Sequence, residues 1–326
     1  PFGTGASVTF TLTEPSSITW NWKTQYYLTV SSLCDSPTPT SDWFDDGTNI
    51  TASVTSPCPG PAGTRYACTG WSGTGSVPPS GTGTSVTFTI TEPSSITWNW
   101  KTQYQVIFDQ TGVGSDFTGT VVIIDSVDYT INDLPTTPDF WWDENSDHSF
   151  LFASPLVVNA GKQYAWQSTS GLSSLQGETL TITTSGEVIG NYIEQNRITF
   201  DQTGVGPDFT GTIIIIDGVP YSTLPQSFAW EINTVHSFAF QSPLLVNGKR
   251  YVWTSTTGLS NQQSGSINVT TYGSILGHYK TQYYLTLATN PPGVDTPTGA
   301  GWYDAGTYAS ISVSYTHLTL PTKRIV

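Results

Sequence analysis

Residues 3–26, GTGASVTFTLTEPSSITWNWKTQY, return 78 positions later as residues 81–104, GTGTSVTFTITEPSSITWNWKTQY, with 22 of 24 positions identical. A second repeat lies between the copies of the first. FDQTGVGSDFTGT from Phe108 recurs as FDQTGVGPDFTGT from Phe200, and HSFLFASPLVVNAGKQYAW from His148 recurs as HSFAFQSPLLVNGKRYVW from His236. A third return opens at Tyr279, where YKTQYYLTLA echoes WKTQYYLTVS from Trp22, and GWYD from Gly301 echoes DWFD from Asp42. Self-similarity on this scale means folding units placed in a row.

The module order is A, A, B, B, A. The first A copy is only its C-terminal part, 1–26; the second, 27–103, is complete. Two B copies span 104–192 and 193–278, and a last A copy begins at 279 and runs to 312. Val313 to Thr322, VSYTHLTLPT, resembles codon for codon the translation of a transposase adapter used in sequencing libraries, with a genuine strand containing a Pro as the alternative; the adapter reading is favoured, and 313–326, including His317, is set aside from fold and function. The sequence holds no Met, which places any signal peptide or membrane anchor outside the residues seen.

Within the repeats the side chains alternate with a period of two. Ile18, Trp20, Trp22, Thr24, Tyr26, Leu28 and Val30 share one face, and Ile96, Trp98, Trp100, Thr102, Tyr104, Val106 and Phe108 repeat the pattern. Val8, Phe10 and Leu12 predict a further short strand, stopped by Glu14 and Pro15. Val121 to Ile124 and Ile213 to Ile216 are unbroken apolar runs, expected of strands covered on both sides. Turns fall at Asp217–Gly218, Asn247–Gly248 and Gly112–Gly114. No segment sustains a 3.6 period. The fold class is therefore all-β, a tandem array of small β modules with few or no helices. The alternation passes without Gly or Pro through 22–27, which predicts strands of successive modules joined end to end in a stiff joint, about 14 residues against a usual 5 to 6.

Charged residues are 10% of the chain, against about 25% in an average soluble domain. With 24 acidic and 10 basic residues the net charge is −14, which excludes nucleic acid as a partner because phosphates would go unneutralised. No apolar run approaches the ~18 residues of a membrane-crossing helix.

The A modules carry a resemblance. YYLTV from Tyr27, WFDDGT from Trp43, GTRYACTGWSG from Gly63 and ITWNWK from Ile96, in that order, resemble the divergent internalin B-type B-repeat of bacterial and archaeal surface proteins. The resemblance implies small strand-rich extracellular modules, often in tandem, without catalytic residues; its helix-bearing members differ from 27–103, where no helical pattern occurs. The B modules, with FDQTG and GKRYVW, resemble immunoglobulin-like sandwich repeats that accompany such modules.

The three cysteines all lie in the complete A module. Cys68, in YACTGW, is placed by alternation toward the core as a small hydrophobe. Cys34 and Cys58 lie in turns flanking the Trp43 strand and are the favoured disulfide pair, with Cys58 to Cys68 and no bridge as alternatives. A bridge adds about 3 kcal/mol in the chain-entropy model and needs an oxidising compartment. No CxxC pair or neighbouring His suits zinc.

Catalysis finds no support. His148 and His236 occupy matching places, but the acids beside the first, Asp143, Glu144 and Asp147, become Glu231, Ile232 and Val235 beside the second, which points to a structural role. No GxSxG turn occurs, and no helix follows Gly112–Gly114 to make a phosphate cradle. Asp143, Glu144 and Asp147 are weak Ca²⁺ candidates; no cofactor and no firm metal site is expected. Of the twelve Trp residues, Trp20, Trp22, Trp98, Trp100, Trp166 and Trp253 are expected in the core, while Trp141, Trp142 and Trp230 are candidate carbohydrate contacts. Asn49 and Asn268 begin glycosylation sequons. The expected function is a non-catalytic extracellular or cell-surface stalk, spacer or adhesin, whose partners are polysaccharide or other surface proteins. The alternatives are a carbohydrate-binding array attached to an enzyme, and a filament subunit in which 1–26 and 279–312 complement each other between chains.

Overall fold

The computed structural model describes residues 4–290, 292–293 and 295–314. Among them there is no α-helix, only one 3₁₀ turn at Ile131–Asp133, and the rest is strand and turn. The chain is all-β, built of several small sheets. Two compact units are formed: Pro1–Ile107 with Pro138–Asp147 and Thr181–Gly186, and Phe108–Thr137 with His148–Leu180 and Glu187–Val326.

In the first unit the strand Gln25–Ser32 lies antiparallel to Asp42–Asp45 and parallel to the start of Ser94–Thr111, with Leu28 opposite Ser94. Thr64–Thr74 runs antiparallel along the same long strand, and Asn49–Ser53 pairs with Ser85–Thr89 in a second, separate sheet. The inward face of each alternation meets between them: Leu28, Ile50, Ala52, Phe88, Ile90, Ile96, Trp98 and Trp71 form one buried cluster. Trp71 meets Trp98 edge to face at 5.9 Å, the arrangement aromatic quadrupoles favour.

In the second unit the strand Gly186–Thr203 pairs antiparallel with Lys162–Gly171 and Gln226–Glu231 and parallel with Gly273–Leu285. Each B module has a further four-stranded sheet in which an apolar run lies second from the edge, Thr120–Ile124 beside Asp147–Phe152 and Ile214–Ile216 beside Val235–Phe240. Phe200, Ile198, Ile214, Phe238, Phe240 and Ile275 pack as the core of the later B module.

The two sequence classes share one strand order. Thr64–Thr74, Lys162–Gly171 and Lys249–Gly258 each run antiparallel to a long strand and each bulge at the same place, after Cys68, Trp166 and Trp253. At that place the backbone N–H donates to a serine hydroxyl in every copy: Cys68 to Ser56 at 2.9 Å, Trp166 to Ser154 and Trp253 to Ser242 at 3.0 Å. What distinguishes a B module is an added hairpin, Thr120–Ile124 with Val127–Thr130 and Ile214–Ile216 with Val219–Tyr221.

The TGVG motif of the B modules is explained by backbone approach. At Gly112 and Gly204, with φ of 90° and 99°, an added Cβ would stand 2.0 Å from the carbonyl oxygens of Tyr192 and Tyr279. The conformation and the distance both demand glycine.

Several expectations are corrected. Residues 4–24 contain no strand, so the predicted strand over 8–12 is absent, and the predicted strand from Ile18 starts only at Gln25. The later copy finds partners in Asn49–Ser53 and Thr64–Thr74; residues 4–24 have no such strands beside them, and alternation alone cannot satisfy a strand's backbone groups. Trp20 and Trp22 are consequently exposed, Trp22 by 91%, where core positions were expected. The predicted run from Ile96 to Phe108 does form one strand, Ser94–Thr111. Cys68 is half-buried rather than core, its thiol 3.6 Å from the carbonyls of Gly70 and Gly83. Of the segment 313–326, residues 315–326 lie outside the described residues. Ser314 still keeps the module's bonding: its N–H donates to Asp295 at 2.6 Å, as Thr55 N–H donates to Asp35 at 2.6 Å.

Candidate functional site

The surface that recurs most faithfully is the end of an antiparallel strand pair. A KTQ tripeptide faces an aspartate on a paired strand: Lys23 and Gln25 bond Asp45 at 2.6 and 2.9 Å, Lys101 and Gln103 bond Asp143 at 2.6 and 2.8 Å, and Lys280 and Gln282 bond Asp304 at 2.9 and 2.6 Å. The register dictates it, since Gln25, Gln103 and Gln282 stand directly opposite those aspartates. In the remaining copy Gln195 faces Glu231, and Ile193 replaces the lysine. Hydrogen bonds from Lys23 and Gln25 hold the Asp45 carboxyl below its ordinary range, and Gln282 and Lys280 do the same for Asp304.

An arginine lies over a tryptophan at two of these strand pairs. The Arg65 guanidinium is 4.5 Å from the Trp141 ring centre and its Nε donates to Gln103 at 2.7 Å; Arg250 lies 4.4 Å from the Trp302 ring centre with Nε donating to Gln282 at 2.7 Å. Where Gln163 replaces the arginine, Ala229 stands in the ring's place, and Gln163 donates to Gln195 at 2.8 Å. Trp43 stands at the ring's position beside Asp45 without an arginine over it and meets Tyr27 edge to face at 5.3 Å.

The candidate sugar contacts are engaged by protein groups. Trp141 and Trp142 are both half-buried. Trp141 lies beneath Arg65, and Trp142 stacks on Phe140 with ring centres 4.8 Å apart. Trp230 stacks on Phe228 at 4.9 Å and on His236 at 3.7 Å, and meets Phe200 edge to face. A protein neighbour thus lies against each of these rings.

The histidines serve one bond twice. His148 Nδ1 lies 2.6 Å from Asp125, and His236 Nδ1 lies 2.7 Å from Asp217. Each aspartate also accepts the next serine's N–H, Ser149 at 2.8 Å and Ser237 at 2.7 Å. Desolvation works against the Asp125 and Asp217 charges, but bonds from the histidine and serine prevail and keep both carboxyls below their ordinary range.

The weak calcium candidates are dispersed. Asp143 accepts from Lys101 and Gln103, Glu144 receives the Tyr104 hydroxyl at 3.4 Å, and Asp147 accepts from Thr181 at 2.6 Å. Among the described residues no group of three His, Cys, Asp or Glu side chains is arranged to hold a metal. Asn49 and Asn268 are exposed strand residues. Cys34 and Cys58 form a disulfide with Cα atoms 6.3 Å apart, and Cys68 is free.

Sequence reasoning missed a cluster built on the B-module motif GxDF. In the second copy Asp208 accepts from Tyr251 Oη at 2.5 Å and pairs with Lys249 at 2.6 Å; in the first, Asp116 accepts from Tyr164 Oη at 2.6 Å and pairs with Lys162 at 2.9 Å, which also reaches Glu194 at 2.8 Å. The repeated pairing of GxDF with GKxY, 43 residues on in the later copy, was the available signal. Lys249 and Tyr251 lower the Asp208 carboxyl, and Tyr164 with Lys162 lowers Asp116. A depressed carboxyl stabilises the fold above its ordinary value near pH 4 and loses that contribution as pH falls through the lower folded value. Urea unfolding of the native chain and Asp208→Asn should therefore differ at pH 7 and converge as pH falls through the lowered folded value; a gap that does not narrow on acidification would refute the assignment.

No family model matches the chain, and no curated protein matches it significantly. Function therefore has to be argued from the geometry.

Proposed function

We propose that this chain is part of a non-catalytic extracellular or cell-surface protein in which small β modules act as a stalk or spacer. The observation that carries the reading is the use made of its aromatic and polar residues. The rings best suited to sugar lie against Arg65, Phe140, Phe228 and His236, and the histidines repeat one Asp–Ser bond in both B modules. These aromatic and titratable side chains are engaged with protein neighbours.

The Cys34–Cys58 disulfide supports an oxidising, extracellular compartment. Among the described residues no helix is long and apolar enough to cross a membrane. We assign the A modules to the internalin B-type B-repeats and the B modules to immunoglobulin-like repeats on the order of their motifs.

Stretching single molecules tethered at both ends tests the proposal. A spacer of independent modules should unfold in several separate force peaks. Smooth extension at low force would count against it. Retardation in a polysaccharide gel that disappears in Trp141→Ala would transfer the assignment to the carbohydrate-binding reading.

A further inference from the structure

Among the described residues every cation but one has a partner. Lys23, Lys101 and Lys280 pair with Asp45, Asp143 and Asp304, Lys162 and Lys249 pair with Asp116 and Asp208, and Arg65 and Arg250 lie over tryptophans, whereas the Arg197 side chain makes no ion pair, hydrogen bond or ring contact there. The register sets its place. Arg197 stands directly opposite Ala229, its backbone N–H donates to the Gly161 carbonyl at 2.8 Å, and both Arg197 and Ala229 are exposed.

Ala229 and Gln163 hold the positions that a tryptophan and its arginine hold around Gln103 and Gln282, where Trp141 and Trp302 lie beneath Arg65 and Arg250. With alanine in place of the ring, a cavity of about 150 Å³ is present, lined by Val157, Asn159, Gln163, Arg197 and Ala229. All five belong to the second unit. A cavity of about this volume holds one six-membered ring.

The amides around it are half used. Asn159 Oδ1 accepts the N–H groups of Gly161 at 2.8 Å and Lys162 at 3.0 Å, which leaves its own N–H groups to donate. Gln163 Nε2 donates to Gln195 at 2.8 Å, which leaves its carbonyl to accept. Val157 and Ala229 supply apolar wall. Lys162 is neutralised by Asp116 at 2.9 Å and Glu194 at 2.8 Å, so the guanidinium is the charge left for a ligand. Glu231 stands opposite Gln195 rather than Arg197.

We propose that this cavity binds a carboxylate-bearing sugar, one hexuronate unit, with its carboxylate on Arg197 and its ring against Val157 and Ala229. A guanidinium fork matches a carboxylate with two parallel hydrogen bonds. Hydroxyl groups both donate and accept, so a pyranose answers the Asn159 donor and the Gln163 acceptor together. A flat aromatic acid answers neither. The site adds a ligand to the spacer reading, and its failure would leave that reading intact.

NMR titration of the full chain with sodium glucuronate tests it, with glucose, benzoate and N-acetylalanine as comparison probes. Glucuronate should shift the Arg197 Nε–H resonance and saturate. Glucose lacks the carboxylate and benzoate the hydroxyls, so each should bind at least about tenfold more weakly. Arg197→Gln should weaken glucuronate by about tenfold or more, whereas Arg65→Gln, whose guanidinium lies over Trp141, should leave the affinity unchanged. Ala229→Trp supplies the ring found at the other strand pairs and should abolish binding. Both substituted positions are exposed, so urea midpoints should stay near that of the parent. Should Ala229→Trp unfold nonetheless, Arg197→Gln carries the test by itself. Absent glucuronate binding, an affinity unmoved by Arg197→Gln, or glucose or benzoate bound as tightly would overturn the proposal. Tighter binding of N-acetylalanine would also overturn it, by assigning the cavity to peptide carboxylates.

Discussion

Truncating Phe200 to alanine will destabilise the second unit by about 3–5 kcal/mol. The side chain is fully buried, with Phe238, Trp230 and Phe228 ring centres at 5.8, 5.9 and 6.3 Å. Removing it forfeits the transfer free energy of the ring and leaves a void whose walls are aromatic faces fixed by strand backbones, so little collapse can compensate. In scanning calorimetry the transition of the second unit should fall by on the order of 10 °C, while that of the first unit stays in place. Leu151→Ala, at an exposed position in the same unit, is the control and should change little. A Phe200→Ala chain that melts like its parent would remove the case for a packed aromatic core there.

Breaking the Cys34–Cys58 bridge will act on the other unit, by about 3 kcal/mol in the chain-entropy model. The bridge spans a sequence separation of 24 and encloses the strands Asp42–Asp45 and Asn49–Ser53, which carry the Lys–Gln–Asp hairpin and the core residues Ile50 and Ala52. Without it the unfolded ensemble regains the freedom that the closed loop denied it. Cys34→Ala with Cys58→Ala, or a reductant, should lower the urea midpoint of the first unit and leave the second unchanged. Cys68 stays in place as the control thiol, because it is already free. Equal midpoints with and without reductant would show that the bridge contributes nothing to stability.

Both effects should stay within one unit, because the buried cluster around Leu28 lies in the first and that around Phe200 in the second. Identity between residues 3–26 and 81–104 fixed the modular plan, and period-two alternation through Ile96 to Phe108 located the strand Ser94–Thr111. The same alternation failed over residues 8–22, which have the same letters but no neighbouring strands. A strand's sequence states which face is apolar; the partner decides whether a strand exists.

The tryptophans divide along the same line. Trp98 was legible as core because it alternates within a segment that has partners on both edges. Trp141 and Trp142 were not, since their covers come from elsewhere in the sequence: Arg65 lies 76 residues before Trp141, a separation read directly from their numbers. Calcium candidates chosen for adjacency in sequence, Asp143, Glu144 and Asp147, are drawn to Lys101, Tyr104 and Thr181 by the pairing of strands.

The sequence by itself determined that the chain is a series of all-strand modules with a low charge density and an acidic balance, because repeats, alternation and composition are local or additive properties. Only the tertiary structure decided that A and B modules share one strand order, that Arg65 and Arg250 cover tryptophans, and that the letters of a core strand lie open at one end of the chain. Those outcomes depend on which backbones pair and in what register, and pairing joins residues whose separation along the chain leaves no local trace.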